Sequence, residues 1–406
     1  MRVSSRSGML RTSRGISVAI LLIASVGCGS TQGASDEPGA SGGRFSGTGG
    51  AHGGNPGTAA SGGQLIVPDE SGRSVSMTSP NCSSDLRSVV DDKGAITEEC
   101  PADQGCANGT CVEACAAAAK SRGSVGCEFF ALDTPGTNNG QTELTQAGEG
   151  LCYAMFVANG WNRPAKLKVS RAGQELDVSA FARIPRGSGK QVQYEALPAS
   201  GLPANEVAVL FLSHKLPLAP AVQVGAFCPV TPAIEEDAAI FGTGRGAAFH
   251  IISDTPLSAY DISTYGGAAI SVPSATLLLP APTWGTNYIA IAPASVRGPS
   301  QTAGALSGRL WTTVVAQEDE TTIRLSPSVP FPGGASGAAA PVGAVTEYKL
   351  HAGEAIQWQQ TLPDTALESP DPSGSVFESE KPFGLWTGNT QLSVASATSS
   401  TIAGDA

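Results

Sequence analysis

Gly246-Ala-Ala-Phe-His-Ile-Ile-Ser-Asp-Thr-Pro256, followed by Leu257-Ser-Ala-Tyr260, has a counterpart in Gly374-Ser-Val-Phe-Glu-Ser-Glu-Lys-Pro382, followed by Phe383-Gly-Leu-Trp386. Each copy reads as a strand, an acidic turn closed by proline, and a second strand ending in a large aromatic residue. A second pair of segments repeats in the same order. Tyr153-Ala-Met-Phe-Val-Ala158 and Ala165-Lys-Leu-Lys-Val169 flank the turn Asn159-Gly-Trp-Asn-Arg-Pro164. Thr312-Thr-Val-Val-Ala316 and Thr321-Thr-Ile-Arg-Leu325 flank the acidic turn Gln317-Glu-Asp-Glu320. Both read as hairpins. Self-similarity at unequal offsets, as loops of different length require, predicts two related β-sandwich-like modules.

Composition agrees with an all-β chain. Only 15% of residues are charged, while Gly numbers 50 and Pro 28, the signature of many turns between short strands. Further strand-like runs fall at 207–212, 275–279 and 288–291. Helix is expected only at Val112–Lys120, rich in alanine, and at Glu235–Ile240.

The N-terminus reads as an export signal. Arg2, Arg6, Arg11 and Arg14 precede an apolar or small stretch from Ile16 to Val26, too short to span a bilayer, and Gly27-Cys28 closes it. A cysteine at the cut points to bacterial lipoprotein processing, with Cys28 acylated as the first mature residue. Ser25 sits where that pattern usually carries an aliphatic residue, so cleavage to a soluble secreted protein is the alternative. Gly29-Ser30 carries no inner-membrane retention aspartate, which favours the outer membrane or cell surface. From Gly29 to Gly63, 13 of 35 residues are glycine. Such a segment buries too little apolar surface to offset its ordering entropy and reads as a tether.

Nine cysteines are present; without Cys28, eight remain, an even number in an oxidising compartment. Cys82, Cys100, Cys106, Cys111, Cys115 and Cys127 lie among turn formers and read as a small disulfide-stapled module of unreadable connectivity. Neither a Cys-x-x-Cys pair nor a histidine accompanies them, which disfavours zinc. Cys152 and Cys228 would then pair with each other. The expected organisation is a signal peptide over 1–27, a tether over 28–78, a cysteine-rich module over 79–128, β modules over 129–283 and 284–394, and a disordered tail over 395–406.

Chemistry-bearing motifs are scarce. The formal charge of −11, more negative once the leader arginines are removed, argues against nucleic acid and against polybasic attachment to anionic lipid. His52, His214, His250 and His351 are isolated, and no Gly-x-Ser-x-Gly elbow occurs. Arg186-Gly-Ser-Gly-Lys190 and Gly242-Thr-Gly-Arg-Gly246 have the wrong spacing for phosphate or dinucleotide loops and read as turns. Asp91-Asp92, Glu98-Glu99 and Glu318-Asp319-Glu320 read as solvated acidic turns rather than calcium sites. No catalytic residue, metal or cofactor is therefore assigned. Trp161, on a loop, is the candidate contact for a glycan or protein partner, with packing over its own sheet edge as the alternative.

Several strings carry a family resemblance. Cys82-Ser-Ser-Asp-Leu-Arg-Ser-Val-Val-Asp91, Cys100-Pro-Ala-Asp-Gln-Gly-Cys-Ala-Asn-Gly-Thr-Cys-Val-Glu-Ala-Cys115 and Ser124-Val-Gly-Cys-Glu-Phe-Phe130 resemble the cysteine-rich start of bacterial surface proteins, frequent in myxobacteria. Those proteins carry a domain similar to the N-terminal region of IgG Fc-binding protein. Phe156-Val-Ala-Asn-Gly-Trp161, Asp254-Thr-Pro-Leu-Ser-Ala-Tyr-Asp261, Tyr265-Gly-Gly267, Leu277-Leu-Leu-Pro280 and Trp284-Gly-Thr-Asn-Tyr-Ile-Ala290 extend the likeness over nearly everything after residue 80. Two departures stand out. Asp92 occupies a position where relatives often carry cysteine. The family also continues into a further cysteine-bearing stretch, where this sequence runs from Thr387-Gly-Asn-Thr390 into a Ser/Thr/Ala tail.

The resemblance implies a non-enzymatic, adhesive protein at the cell surface; joined to the reading of Cys28, the expectation is a protein held to the membrane by its N-terminal lipid that binds or scaffolds an extracellular protein or glycan. It does not imply antibody binding, because a shared fold does not transfer a ligand. The alternatives are an exported hydrolase or glycan-active enzyme whose acids converge only in the fold, and a truncated paralogue with an open sheet edge in its second module.

Overall fold

The computed structural model describes residues 66–68, 74–76, 81–135, 150–216, 227–266, 274–293, 309–334, 337–361, 370–390, 392–394 and 403–405. Cys28, His52 and the signal segment lie outside them. Within the stretch read as a tether, two short strands, β1 (Ile66–Pro68) and β2 (Ser74–Ser76), pair antiparallel.

The cysteine-rich module consists of two ribbons and one helix. Strands β3 (Ser88–Val90) and β4 (Ile96–Glu99) form the first ribbon, and β5 (Gln104–Ala107) and β6 (Thr110–Glu113) the second. The β5–β6 turn is Asn108-Gly109, with φ of 52° and 77°. Two consecutive left-handed residues give the turn whose twist matches antiparallel strands, and glycine takes the second position without strain. Helix α1 (Ala114–Ser121) follows directly. The Glu113 carboxylate accepts from the Ala116 N–H at 2.7 Å, and Arg122 ends the helix in the left-handed region. Disulfides Cys82–Cys106 and Cys100–Cys111 lock the ribbons. Cys115–Cys127 ties α1 to strand β7 (Val125–Ala131), which already belongs to the first sandwich. So few large apolar residues could not hold this segment together unaided.

The first sandwich is organised by one long, bent strand. Its elements are β8 (Tyr153–Ala158), β9 (Leu167–Arg171), β10 (Gln174–Leu176), the single turn α2 (Val178–Phe181), β11 (Ala182–Arg186), β12 (Gln193–Ala196) and β13 (Val207–Ser213). After a short strand β14 (Gly244–Ala247) come β15 (Phe249–Ser263) and β16 (Ser274–Leu278). The first half of β15 lies between β7 and β9, and the second half between β8 and β16. The strand-turn-strand read at Gly246–Tyr260 is thus a single strand that changes layer at Ser253–Pro256. In that bend the Ser253 hydroxyl accepts from the Thr255 N–H at 3.1 Å. Alternation puts Phe129, Tyr153, Met155, Val157, Leu210, Phe249, Ile251, Leu257 and Leu278 into one core between the layers.

The second sandwich repeats the plan. Strands β17 (Gly285–Ile289), β18 (Leu310–Ala316), β19 (Thr321–Ser326), β20 (Thr346–Leu350) and β21 (Glu354–Gln359) surround a bent strand, β22 (Val376–Asn389). The first part of β22 pairs with β17 and β19, and the second part with β18. Ile323, Leu325, Tyr348, Ile356, Trp358, Phe377 and Phe383 fill its core. A last pair, β23 (Leu392–Val394) and β24 (Ala403–Asp405), is antiparallel. The fold is all-β, with two related sandwiches after a disulfide-rich module.

Three local expectations are corrected. The two supposed hairpins are not hairpins: β8 and β9 flank β15 on opposite layers, and β18 and β19 do the same around β22. Each connection therefore passes an intervening strand of one curled sheet instead of joining neighbouring strands. Glu235–Ile240 is not helical, because the Asp237 carboxylate accepts from the backbone N–H groups of Gly150 (2.6 Å) and Ala239 (3.0 Å), holding an irregular loop. Thirdly, β14, inside the stretch read as the first module, pairs with β21 of the second sheet before the chain continues into β15. Around this crossing Phe130, Leu132, Ile240, Ala248, Trp284, Val315 and Ala355 form a shared apolar cluster joined by Trp386.

Candidate binding site on the second sandwich

Outward-facing residues of β19, β20 and β22 build a groove. Alternation along β19 buries Thr321, Ile323 and Leu325 and turns Thr322, Arg324 and Ser326 outward. The register sets Arg324 between Glu347 on β20 and Glu378 on β22. The chain bend adds Ser379, Glu380 and Lys381, and the turn before β19 adds Glu320. Glu320, Thr322, Arg324, Glu347, Ser379, Glu380 and Lys381 line a cavity of about 310 Å³. Lys381 donates through Nζ to the Asp319 carbonyl at 2.5 Å, fixing one cation at the rim. The Asp319 carboxylate accepts from the Ala352 N–H at 3.0 Å, and His351 Nδ1 lies 3.6 Å from it. Arg324, Glu347 and Glu380 enter no ion pair with each other. Cations and carboxylates alternating on one hydrated surface, with hydroxyls between them, suit a polar macromolecular partner. Among the described residues no group of histidine, cysteine or acidic side chains is placed to hold a metal ion.

Trp161 is not a contact residue. It is 3% exposed, and its indole N–H donates to the Ala102 carbonyl at 3.1 Å across the junction with the cysteine-rich module. A side chain at Gly105 would come within 3.2 Å of the Trp161 ring and 2.9 Å of the Ala117 methyl, so the backbone closes directly over the indole. Asn159 shapes the loop: its amide donates to the carbonyls of Arg163, Leu202 and Pro203, and its oxygen accepts from the Trp161 N–H. Trp161→Ala is expected to lower stability by about 3–5 kcal/mol through the cavity it leaves. Denaturant unfolding of the purified chain reads that loss directly.

The eight cysteines all pair, Cys152–Cys228 included. His214 is buried against Phe227, and its pKa is lowered by burial. His250 stacks on Phe130 with centroids 4.4 Å apart and meets Glu128 at 2.8 Å. Asp91 accepts from the N–H groups of Lys93 and Ala95, an ordinary polar turn. Arg186 forms ion pairs with Glu195 and Glu206.

One polar cluster was not readable from the sequence. Asp133 and Asp261 are 7% and 6% exposed at the end of the first core. The Ser213 hydroxyl donates to Asp133 at 3.0 Å, and the Tyr153 hydroxyl donates to Asp261 at 3.1 Å. Burial, reinforced by the neighbouring Asp237, pushes Asp133 well above the usual carboxylate range. Burial also pushes Asp261 up to about 7. These acids lie inside the fold rather than facing each other across an open groove.

The sequence model of a family described as "IgGFc binding protein" matches residues 274–405. The matched stretch opens at β16 and takes in β17 to β24, so it covers the sandwich that carries the groove. No curated protein and no solved structure matches the chain.

Proposed function

We propose that the chain is an exported protein, anchored in the bacterial envelope through acylated Cys28, whose second sandwich binds an extracellular protein without transforming it. The observation that carries the binding role is the family match over the sandwich bearing the groove, while export and anchoring rest on the sequence of residues 1–28. Four disulfides point to an oxidising, extracytoplasmic compartment, and no described helix is long and apolar enough to cross a membrane. The acids with strongly perturbed ionisation are enclosed in the first core, where a substrate would not reach them. That favours binding over hydrolysis. The partner's identity does not follow from the family's description, because ligands are properties of sites rather than folds.

The test is capture. Purified chain on a solid support is exposed to extracellular material from the producing bacterium, and the bound fraction is eluted and weighed by mass spectrometry. The expected result is a protein retained intact, with retention reduced about ten-fold or more by Arg324→Glu, which reverses the groove's central charge. Recovery of cleaved material, or retention indifferent to that change, contradicts the reading.

A further inference from the structure

A row of alternating charge runs across the outer face of the second sandwich. Glu347 on β20 stands opposite Arg324 on β19, and Arg324 stands opposite Glu378 on β22. All three side chains are exposed. Adjacent strands lie about 4.8 Å apart, so the row presents carboxylate, guanidinium and carboxylate at nearly even steps. Arg324 nevertheless closes no ion pair with either neighbour among the described residues, whereas Arg186 and Arg245 each hold a glutamate at 2.9 Å or less.

The cavity along this row, of about 310 Å³, is lined by charged and hydroxyl side chains alone. Glu320, Glu347 and Glu380 supply carboxylates, and Glu378 adds another at the end of the row. Lys381 is held at the rim by the Asp319 carbonyl, which leaves Arg324 as the cation at the centre. Such a surface draws cations inward, while its central guanidinium offers one place for an anion. No aromatic ring is among the lining side chains to stack on a sugar, which favours a peptide segment over a glycan.

We propose, resting on the binding role argued above, that the groove reads an extended segment of its protein partner by charge order: basic, acidic, basic on alternate residues. The segment's carboxylate sits on Arg324 as a two-point hydrogen-bonded pair. Its basic side chains reach Glu347 on one side and Glu378 with Glu380 on the other. Alternate residues of an extended chain point the same way at steps of about 6.6 Å, and the length of lysine or arginine absorbs the difference from the strand spacing. Exposed charge pairs are each worth little, so one segment binds weakly. Selectivity then comes from the order of the charges rather than from their number.

The probe is the peptide Gly-Lys-Gly-Asp-Gly-Lys-Gly, titrated at low salt into the fluorescently labelled full chain and followed by thermophoresis. Saturable binding with a Kd of about 1 mM or below is expected, lost in about 0.5 M salt. Gly-Asp-Gly-Lys-Gly-Lys-Gly, of the same composition and net charge, binds about five-fold or more weakly. Inverting the row with Glu347→Lys, Arg324→Glu and Glu378→Lys together reverses the preference, so that Gly-Asp-Gly-Lys-Gly-Asp-Gly binds and the first probe does not. These side chains are exposed, and an unchanged circular dichroism spectrum checks that the triple variant folds. Equal binding of the two isomers, no saturable binding below about 10 mM, or an inverted row that keeps its first preference overturns the proposal. Capture of an intact partner that still depends on Arg324 while the probe fails leaves the binding role standing and overturns only the charge order. Capture abolished by digestion of glycans puts a sugar in the groove and overturns it as well.

Discussion

A fragment beginning at residue 284, where the sequence divides the two modules, is expected to be insoluble or unfolded. Two losses combine. Without β14 (Gly244–Ala247), strand β21 becomes an exposed edge with unpaired backbone groups, an invitation to aggregate. Without Phe130, Leu132, Ile240 and Ala248, the apolar faces of Trp284, Val315, Ala355 and Trp386 meet water as one patch. The polar contacts across the junction go as well: Gln357 donates to the carbonyls of Ile240 and Gly242, the latter at 3.0 Å, and Gln317 donates to Glu128 at 3.4 Å. Fusing residues 240–248 ahead of the fragment through a flexible linker restores the edge strand and is expected to raise the soluble yield several-fold. Circular dichroism and dispersed amide resonances distinguish the cases. A fragment 284–406 that is soluble and cooperatively folded would show that the strand crossing is dispensable.

The second large effect is a pH dependence opposite in sign to that of most carboxylates. Asp261 titrates near 7 in the folded protein because burial disfavours its charged form, against an ordinary value of 3.8. Between these values the folded chain holds a proton that the unfolded chain has released. Stability therefore falls as pH rises through that window, by about 1.4 kcal/mol per unit from this group and about 4 kcal/mol in all. Below about pH 4 its contribution is fully present; above about pH 7 it is gone. Asp133, raised in the same direction, adds to the slope. Asp261→Asn imitates the protonated acid: the amide oxygen can accept from the Thr276 N–H, and the amide N–H₂ can donate to the Tyr153 hydroxyl oxygen. Relative to that variant, the native chain is expected to lose about 3–4 kcal/mol between pH 4 and pH 8, measured by denaturant unfolding. Parallel curves for the two proteins would contradict the burial argument.

The comparison of the two sandwiches shows what a sequence carries and what it does not. Strand content was legible in the alternation of Thr321 to Leu325 and the apolar run at Tyr153 to Ala158, since side-chain period follows local backbone geometry. The repeat was legible because Phe249 and Pro256 recur as Phe377 and Pro382 in the same context. Strand pairing was not, because the loop after β8 has the same composition whether it joins neighbouring strands or passes one that lies between them. The exchange of β14 into the second sheet leaves no trace in Gly244-Arg-Gly-Ala247, whose residues would suit any edge. Trp161 was legible as an aromatic on a loop, but the surface that buries it comes from residues about sixty positions earlier, at Ala102 and Gly105. The groove has a similar origin. Arg324, Glu347 and Lys381 come together only through the β20–β19–β22 register, and only the acidic turn Glu318–Glu320 hinted at it. Asp133 and Asp261, far apart in sequence, gave no local sign of meeting.

The most direct test of the whole account is the intact mass of the native protein taken from the envelope fraction of its own cells, before and after reduction. The expected species is a mature chain that starts at a diacylated or triacylated Cys28 and gains about eight hydrogens, two per disulfide, on treatment with thiol. A cytosolic chain that retains Met1 and free thiols would contradict it.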